Sequence, residues 1–300
     1  MSHITRRKLL CTSLAGLAAA LATPGFAVGS LDFDQGTLMA LSDGSFTVPG
    51  QFWPGASEAE QAALGTKVKV GANVFLVRQN ERIILIDAGA GGGDFVSSRF
   101  GDLGRLPTAL ADAGIAPTDV TDIVITHMHI DHSGGLIAGG TPAFENATIH
   151  IDQKEWDFWT DAGLPDKMPQ DLRPMVVEVQ QIADIVKDQV QPHDGTKDFG
   201  NGLRAIQTYG HTPGHNSFEL DLEGEKLLIM GDLVVSDHIH FNNPDVGWAL
   251  DGIPDMAIAT RHAILSRAAD EGLVIAGSHL TAPGLGRVVR TDKAYKFQPL

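Results

Sequence analysis

The sequence predicts an α/β sandwich, two β-sheets packed face to face with helices on the outside. Three observations carry that expectation. Strand-like and helix-like segments alternate in two successive halves, each a set of strands followed by helices. Several strands are short apolar runs such as Ile83-Ile84-Leu85-Ile86, the pattern of a buried strand. No repeat, low-complexity tract or Pro/Ser-rich linker interrupts residues 30–300, so both halves belong to one domain, 28–300.

In chain order, Leu38 to Val48 reads as a hairpin turning at Ser42-Asp43-Gly44. Lys67–Val77 and Arg82–Asp87 read as a second hairpin around Gln79-Asn80-Glu81. Its return strand delivers Asp87-Ala88-Gly89 to a Gly-rich turn, Gly91-Gly92-Gly93. A helix near residues 104–114 leads into Asp122-Ile123-Val124-Ile125-Thr126, another buried strand. Helices are expected over Gln153–Asp161 and Gln170–Lys187, then strands over Leu203–Tyr209, Ser217–Leu222 and Lys226–Met230. A helix over Pro254–Ala269 and a strand over Leu273–Ala276 complete the order.

Composition narrows the classes. At 300 residues and 43% hydrophobic content the chain is globular, neither fibrous nor disordered. Arg6-Arg7-Lys8, the apolar stretch Leu9 to Leu21 and Pro24-Gly25-Phe26-Ala27 have the basic, apolar and small-residue order of a signal peptide, with cleavage expected after Ala27. The Arg pair is of the twin-arginine type, which implies a bacterial periplasmic or secreted protein exported in folded form. An uncleaved anchor is the alternative; after cleavage no stable membrane association is expected. Cys11, the only cysteine, lies inside that segment, so metals in the mature chain must be held by His and carboxylates. Removing residues 1–27 takes three of the 22 Lys and Arg and none of the 37 Asp and Glu, moving the formal charge from −15 to −18. Such a chain repels phosphate backbones, which argues against nucleic-acid partners and for a small-molecule substrate.

The segment Thr126-His127-Met128-His129-Ile130-Asp131-His132-Ser133-Gly134-Gly135 places four potential ligands just after a buried strand. In an extended loop His127 and His129 point the same way and can grip one metal. With a helix beginning near Asp131, Asp131 and His132 aim at a neighbouring position, a second metal. Three further elements complete the set: His211 in Gly210-His211-Thr212-Pro213-Gly214-His215, Asp232 after an apolar strand, and His279 after Ala276-Gly277-Ser278. A sulfur-free, nitrogen-rich set suits two divalent ions, zinc first, with manganese, cobalt or iron as alternatives.

These motifs, in this order, resemble the metallo-β-lactamase superfamily, and most closely its branch of methyl parathion hydrolase and quorum-signal or aromatic lactonases. Residues from about Leu41 to Phe297 follow that branch, including Ala40-Leu41-Ser42-Asp43-Gly44, Asp152-Gln153-Lys154-Glu155 and Ser278-His279-Leu280. The resemblance implies an αββα sandwich of two mixed sheets flanked by helices, often a homodimer. It implies one metal on His127, His129 and His211, the other on Asp131, His132 and His279, and Asp232 as bridge. A shared water, made hydroxide between the metals, would attack a carbonyl carbon or phosphorus. Asp232 would set the bridging geometry and shuttle the proton, and Asp131 follows the pattern of the lactonase and phosphotriesterase branches.

Asp87 resembles a residue supporting the metal loops, with turn capping as the other reading. His215 is expected to make a structural hydrogen bond, and His238 and His240 to be solvated loop residues. Trp159 matches an aromatic of the leaving-group pocket in the related hydrolases, with Phe95 and Phe100 as companions; Trp156 and Phe158 read as core. The expected activity is hydrolysis of lactones or aryl esters, with organophosphate triesters as a related class. The alternatives are a β-lactamase, disfavoured because no basic partner for a β-lactam carboxylate stands out, and a metal-stabilised binding protein without turnover.

Overall fold

The apolar runs form the middle of two sheets. In the computed structural model, which describes residues 27–33, 36–222 and 224–300, each sheet has seven strands. The expected signal segment, apart from Ala27, lies outside the described residues. The first sheet comprises β1 (Ala27–Phe33), β2 (Gly36–Pro49), β3 (Lys67–Gln79), β4 (Arg82–Ile86), β5 (Asp122–Val124), β8 (Thr148–Asp152) and β9 (Val190–His193), in that spatial order. Two-residue strands β6 (Ile137–Ala138) and β7 (Thr141–Pro142) form a separate ribbon. The second sheet comprises β10 (Asp198–Gly200), β11 (Leu203–Gln207), β12 (Asn216–Leu222), β13 (Glu225–Ile229), β14 (Val274–Ala276), β15 (Leu285–Arg290) and β16 (Tyr295–Pro299).

Strands β4, β5, β8 and β9 pair in parallel, as do β13 and β14. Parallel strands are covered on both faces, which is why the parallel-paired parts of β4 (84–86) and β13 (227–229) are continuous apolar runs. Their alternate residues divide between two cores. Ile84, Ile86 and Val124 face Phe218, Leu227 and Ile229 between the sheets. Leu85 and Ile123 point the other way, onto Val176, Val179, Ile182 and Val186 of an outer helix. The helices are α1 (Glu58–Leu64), α2 (Asp94–Arg99), α3 (Leu106–Asp112), α4 (Ile130–Ser133), α5 (Gln153–Thr160), α6 (Leu164–Lys167), α7 (Arg173–Val186) and α8 (Pro254–Glu271). Helix α8 covers the second sheet through Ile264, Leu265 and Ala268. The result is an αββα sandwich of mixed sheets. Among the described residues no helix is long and apolar enough to cross a membrane.

One expectation is corrected. Leu38 to Val48 is not a hairpin but the body of the single strand β2, which pairs with β3 along its length and slips register between Ser42 and Gly44. Ser42-Asp43-Gly44 is a β-bulge, with Gly44 at φ 121°. The polar triplet looks like a turn because Asp43 is needed elsewhere. Its buried carboxylate accepts hydrogen bonds from the backbone N–H of Leu106 (2.7 Å), Ala90 (2.8 Å) and Gly104 (3.3 Å). It thereby ties the loop after β4 and the start of α3 to β2.

Candidate metal centre

Four chain segments meet at one edge of the sandwich. The loop after β5 brings His127, His129, Asp131 and His132; the β11–β12 connection brings His211; the turns after β13 and β14 bring Asp232 and His279. The structure draws all seven together in two adjacent groups, His127, His129, His211 and Asp232 in one and Asp131, His132 and His279 in the other, with the ligand atoms of each within 4.8 Å of one another. His129 Nδ1 lies 3.0 Å from His127 Nε2 and 2.9 Å from His211 Nε2. Asp232 stands between the groups: Oδ1 is 3.1 Å from His132 Nε2 and 3.0 Å from His279 Nε2, and Oδ2 is 3.3 Å from His211 Nε2. Asp131 Oδ2 is 3.4 Å from His279 Nε2.

The outer partners of the imidazoles decide whether these atoms fit metal ions. His132 Nδ1 donates to Asp87 Oδ2 (2.8 Å), His211 Nδ1 to Asp251 Oδ1 (2.9 Å) and His279 Nδ1 to the Gly71 carbonyl (2.8 Å). Each partner only accepts, so in the neutral ring Nε2 is left as a bare lone pair aimed inward. His132 Nε2 and Asp232 Oδ1 are buried and make no hydrogen bond despite their proximity. Lone pairs crowded without donors are what a cation, or protons, must satisfy.

Electrostatics agree. Burial pulls His127 and His129 well below the ordinary imidazole range, and the neighbouring imidazoles push the same way. Burial also opposes protonation of His132, yet Asp232, Asp131 and Asp87 outweigh it and raise that ring well above its usual value. At His211 burial is overcome by Asp232 and Asp251, giving about 9. The carboxylates therefore leave the ligand set in need of positive charge.

Asp87 sits behind the ligand loops. Besides His132, it accepts from Thr126 N (2.7 Å) and Thr126 Oγ1, and its φ of 64° puts it in the left-handed region. His215 makes structural hydrogen bonds: Nε2 accepts from Asp232 N at 3.0 Å, and burial holds its pKa down to about 3. His238 is largely solvated, but His240 is not; it is buried, and Nδ1 accepts from Val235 N, so its expected loop role is corrected.

A cavity of about 390 Å³ opens onto His129, Asp131, Asp232 and His279, walled by Phe46, Phe95, Phe100, Trp248 and Met175 among others. Phe100 is one of the residues that line it. Trp159 does not: it is 1% exposed, its ring edge-on to His129 (5.4 Å) and its Nε1 donating to Glu155 Oε1 (2.7 Å). Its indole is consumed in propping a ligand, which corrects its assignment to the leaving-group pocket.

Four residues escaped sequence reading. Phe46 lies edge-on to His279 and to Phe100. Arg99 lines the cavity, its guanidinium 4.2 Å from the Phe95 ring centroid. Asp251 and Glu155 are buried carboxylates behind the ligand loops. Only Glu155 left a trace, as the acid of the Asp-Gln-Lys-Glu segment.

The sequence model of the metallo-beta-lactamase superfamily matches residues 69–279, from β3 to the last candidate ligand. The chain belongs to this superfamily. The similar proteins include lactonases. An N-acyl homoserine lactonase of Bacillus cereus is 27% identical over 128 residues, 42% of this chain and 43% of the relative, so the chain spans less than half the length of that relative. The structure of AidC, a dizinc quorum-quenching lactonase in complex with a product, superposes with a TM-score of 0.83 at 28% identity, covering 91% of this chain and 97% of that one. The hydrolase AbOPH of the beta lactamase superfamily gives 0.82 at 28% identity with the same coverage.

Proposed function

We propose that this metallo-beta-lactamase superfamily member hydrolyses uncharged lactones and aryl esters with two divalent cations, zinc foremost, and that phosphotriesters are a secondary substrate class. The observation that carries the reading is the convergence of inward lone pairs from two ligand groups, shared by Asp232, at the base of an apolar cavity. The AidC and N-acyl homoserine lactonase similarities support the lactone class. Two cations bound there supply the Lewis acidity that lowers the pKa of a water and polarises a carbonyl or phosphoryl oxygen.

The chain's own residues do the rest. Asp232, whose Oδ2 is 3.3 Å from His211 Nε2 and 3.1 Å from His279 Nε2 while Oδ1 faces His132, reaches both groups, fixes their separation and carries the proton from the attacking water toward the leaving oxygen. Asp131 faces the cavity and keeps its carboxylate toward His279. Phe46, Phe95, Phe100 and Trp248 exclude water from the flank where an acyl or aryl group lies.

Arg99 gives β-lactam hydrolysis a specific argument as second reading, because it supplies a cation in the cavity wall that a β-lactam carboxylate could meet. It ranks below the first because Asp131, Asp171 and Asp232 line the same cavity. A screen of the zinc-loaded chain over lactones, aryl esters, phosphotriesters and β-lactams tests the order. The reading expects the highest kcat/KM on a neutral lactone or aryl ester, and a penicillin as best substrate would overturn it. Export through Arg6 and Arg7 belongs to the same reading; replacing both with Lys should hold precursor in the cytoplasm, and unimpaired export would remove the twin-arginine assignment.

A further inference from the structure

Glu155 is completely buried and lies between the two loops that supply the three-histidine group. Its Oε1 accepts from Met128 N (2.9 Å), between His127 and His129, and from Trp159 Nε1 (2.7 Å). Its Oε2 accepts from Thr212 Oγ1 (2.6 Å) and Gly214 N (3.0 Å), in the loop that carries His211. Gly214 sits so close to α5 that a Cβ there would lie 2.3 Å from the Glu155 backbone nitrogen. The third arm runs through the indole. Among the described residues no outer hydrogen bond holds the His129 ring as Asp251 holds His211; its ring meets the edge of Trp159, which Glu155 fixes.

The other group is supported elsewhere. His132 rests on Asp87 and His279 on the Gly71 carbonyl, and neither touches Glu155. We infer that Glu155 is a positioning residue that sets the metal affinity of the His127, His129 and His211 group alone, by clamping its two loops and the indole behind His129. The inference rests on the two-metal reading. Both carboxylate oxygens face two donors each, so an amide at this position turns one pair of acceptances into donor against donor. The loosening should then reach one site and spare the other.

The test uses the full chain loaded with cobalt(II), competed with graded chelator, and reads ions per chain together with the ligand-field absorption of each. Wild type should hold two ions. Glu155→Gln should release one ion at roughly 10- to 100-fold lower chelator, the scale for losing a partner behind a metal ligand, and keep the other at wild-type affinity. The ion lost should be the one with the three-nitrogen signature. Asp87→Asn, by contrast, should weaken both ions, because Asp87 holds His132 directly and reaches His127 through Thr126. Trp159→Phe keeps the carboxylate and removes only the indole hydrogen bond, so it should shift the same site as Glu155→Gln by less; it decides the matter if Glu155→Gln does not fold. Two ions in wild type with parallel loss of both in Glu155→Gln and Trp159→Phe, or unchanged affinity in both variants, would overturn the inference alone. A wild type that holds one ion would overturn the two-metal reading and the inference with it.

Discussion

Asp251→Ala exposes how strongly the fold beneath the centre depends on a charge that no ligand motif announces. Asp251 is buried, with Oδ1 on His211 Nδ1 (2.9 Å) and Oδ2 accepting from Trp248 N (3.0 Å) and facing Arg261 Nη2 (3.4 Å). Arg261 is 0% exposed, its other nitrogens spent on the carbonyls of Leu233, Pro244 and Val246. Removing the carboxylate leaves a buried guanidinium without its counter-charge, which costs about 3–5 kcal/mol. Urea unfolding in excess chelator measures this without the stabilisation that bound metal adds to the native state. Asp251→Ala combined with Arg261→Met should lose less than the two single changes together, with a coupling of about 0.5–3 kcal/mol. A single variant within about 1 kcal/mol of wild type, or additive losses in the double variant, would refute the reasoning.

Two further outcomes follow from the same geometry. Burial pushes the Asp43 carboxyl up to about 6 against the pull of its three N–H donors. Between about pH 4 and 6 the folded chain therefore holds a proton that the unfolded chain releases, so this group makes stability fall as pH rises through that window, by about 3 kcal/mol in all. Asp43→Ala, though less stable throughout for want of three hydrogen bonds, should flatten that part of the pH–stability curve measured by urea unfolding; an unchanged slope contradicts the assignment. Arg99→Gln should lower kcat/KM for carboxylate-bearing substrates about tenfold, some 1.4 kcal/mol, and leave neutral lactones unchanged. Equal effects on both would remove Arg99 from substrate discrimination.

The ligands were legible in sequence because each closes a buried strand or sits in a Gly-bounded turn, so local pattern alone points to His127 through His132, His211, Asp232 and His279. The supports were not. Asp251 lies 40 residues from His211, and Glu155 lies 27 and 57 residues from Met128 and Thr212, so their roles arise only when separate loops are stacked. Asp43 misled for the same reason: a turn-forming triplet serves a bulge whose partners are 47 to 63 residues away. Trp159 has the composition of a pocket wall, but at α5 its indole reaches Glu155 and His129 before it reaches the cavity. Strands β15 and β16 were missed because the first carries Arg287 and Arg290 and the second ends at Pro299, which blurs the apolar period.

The most direct test of the account is a titration of the chelator-stripped chain with zinc while the hydrolysis of a neutral lactone or aryl ester is followed. The account predicts no turnover without metal, a plateau at two ions per chain, and a loss of several orders of magnitude in Asp232→Ala at the same zinc concentration. Turnover by the metal-free chain, a plateau at one ion, or wild-type rates in Asp232→Ala would contradict it.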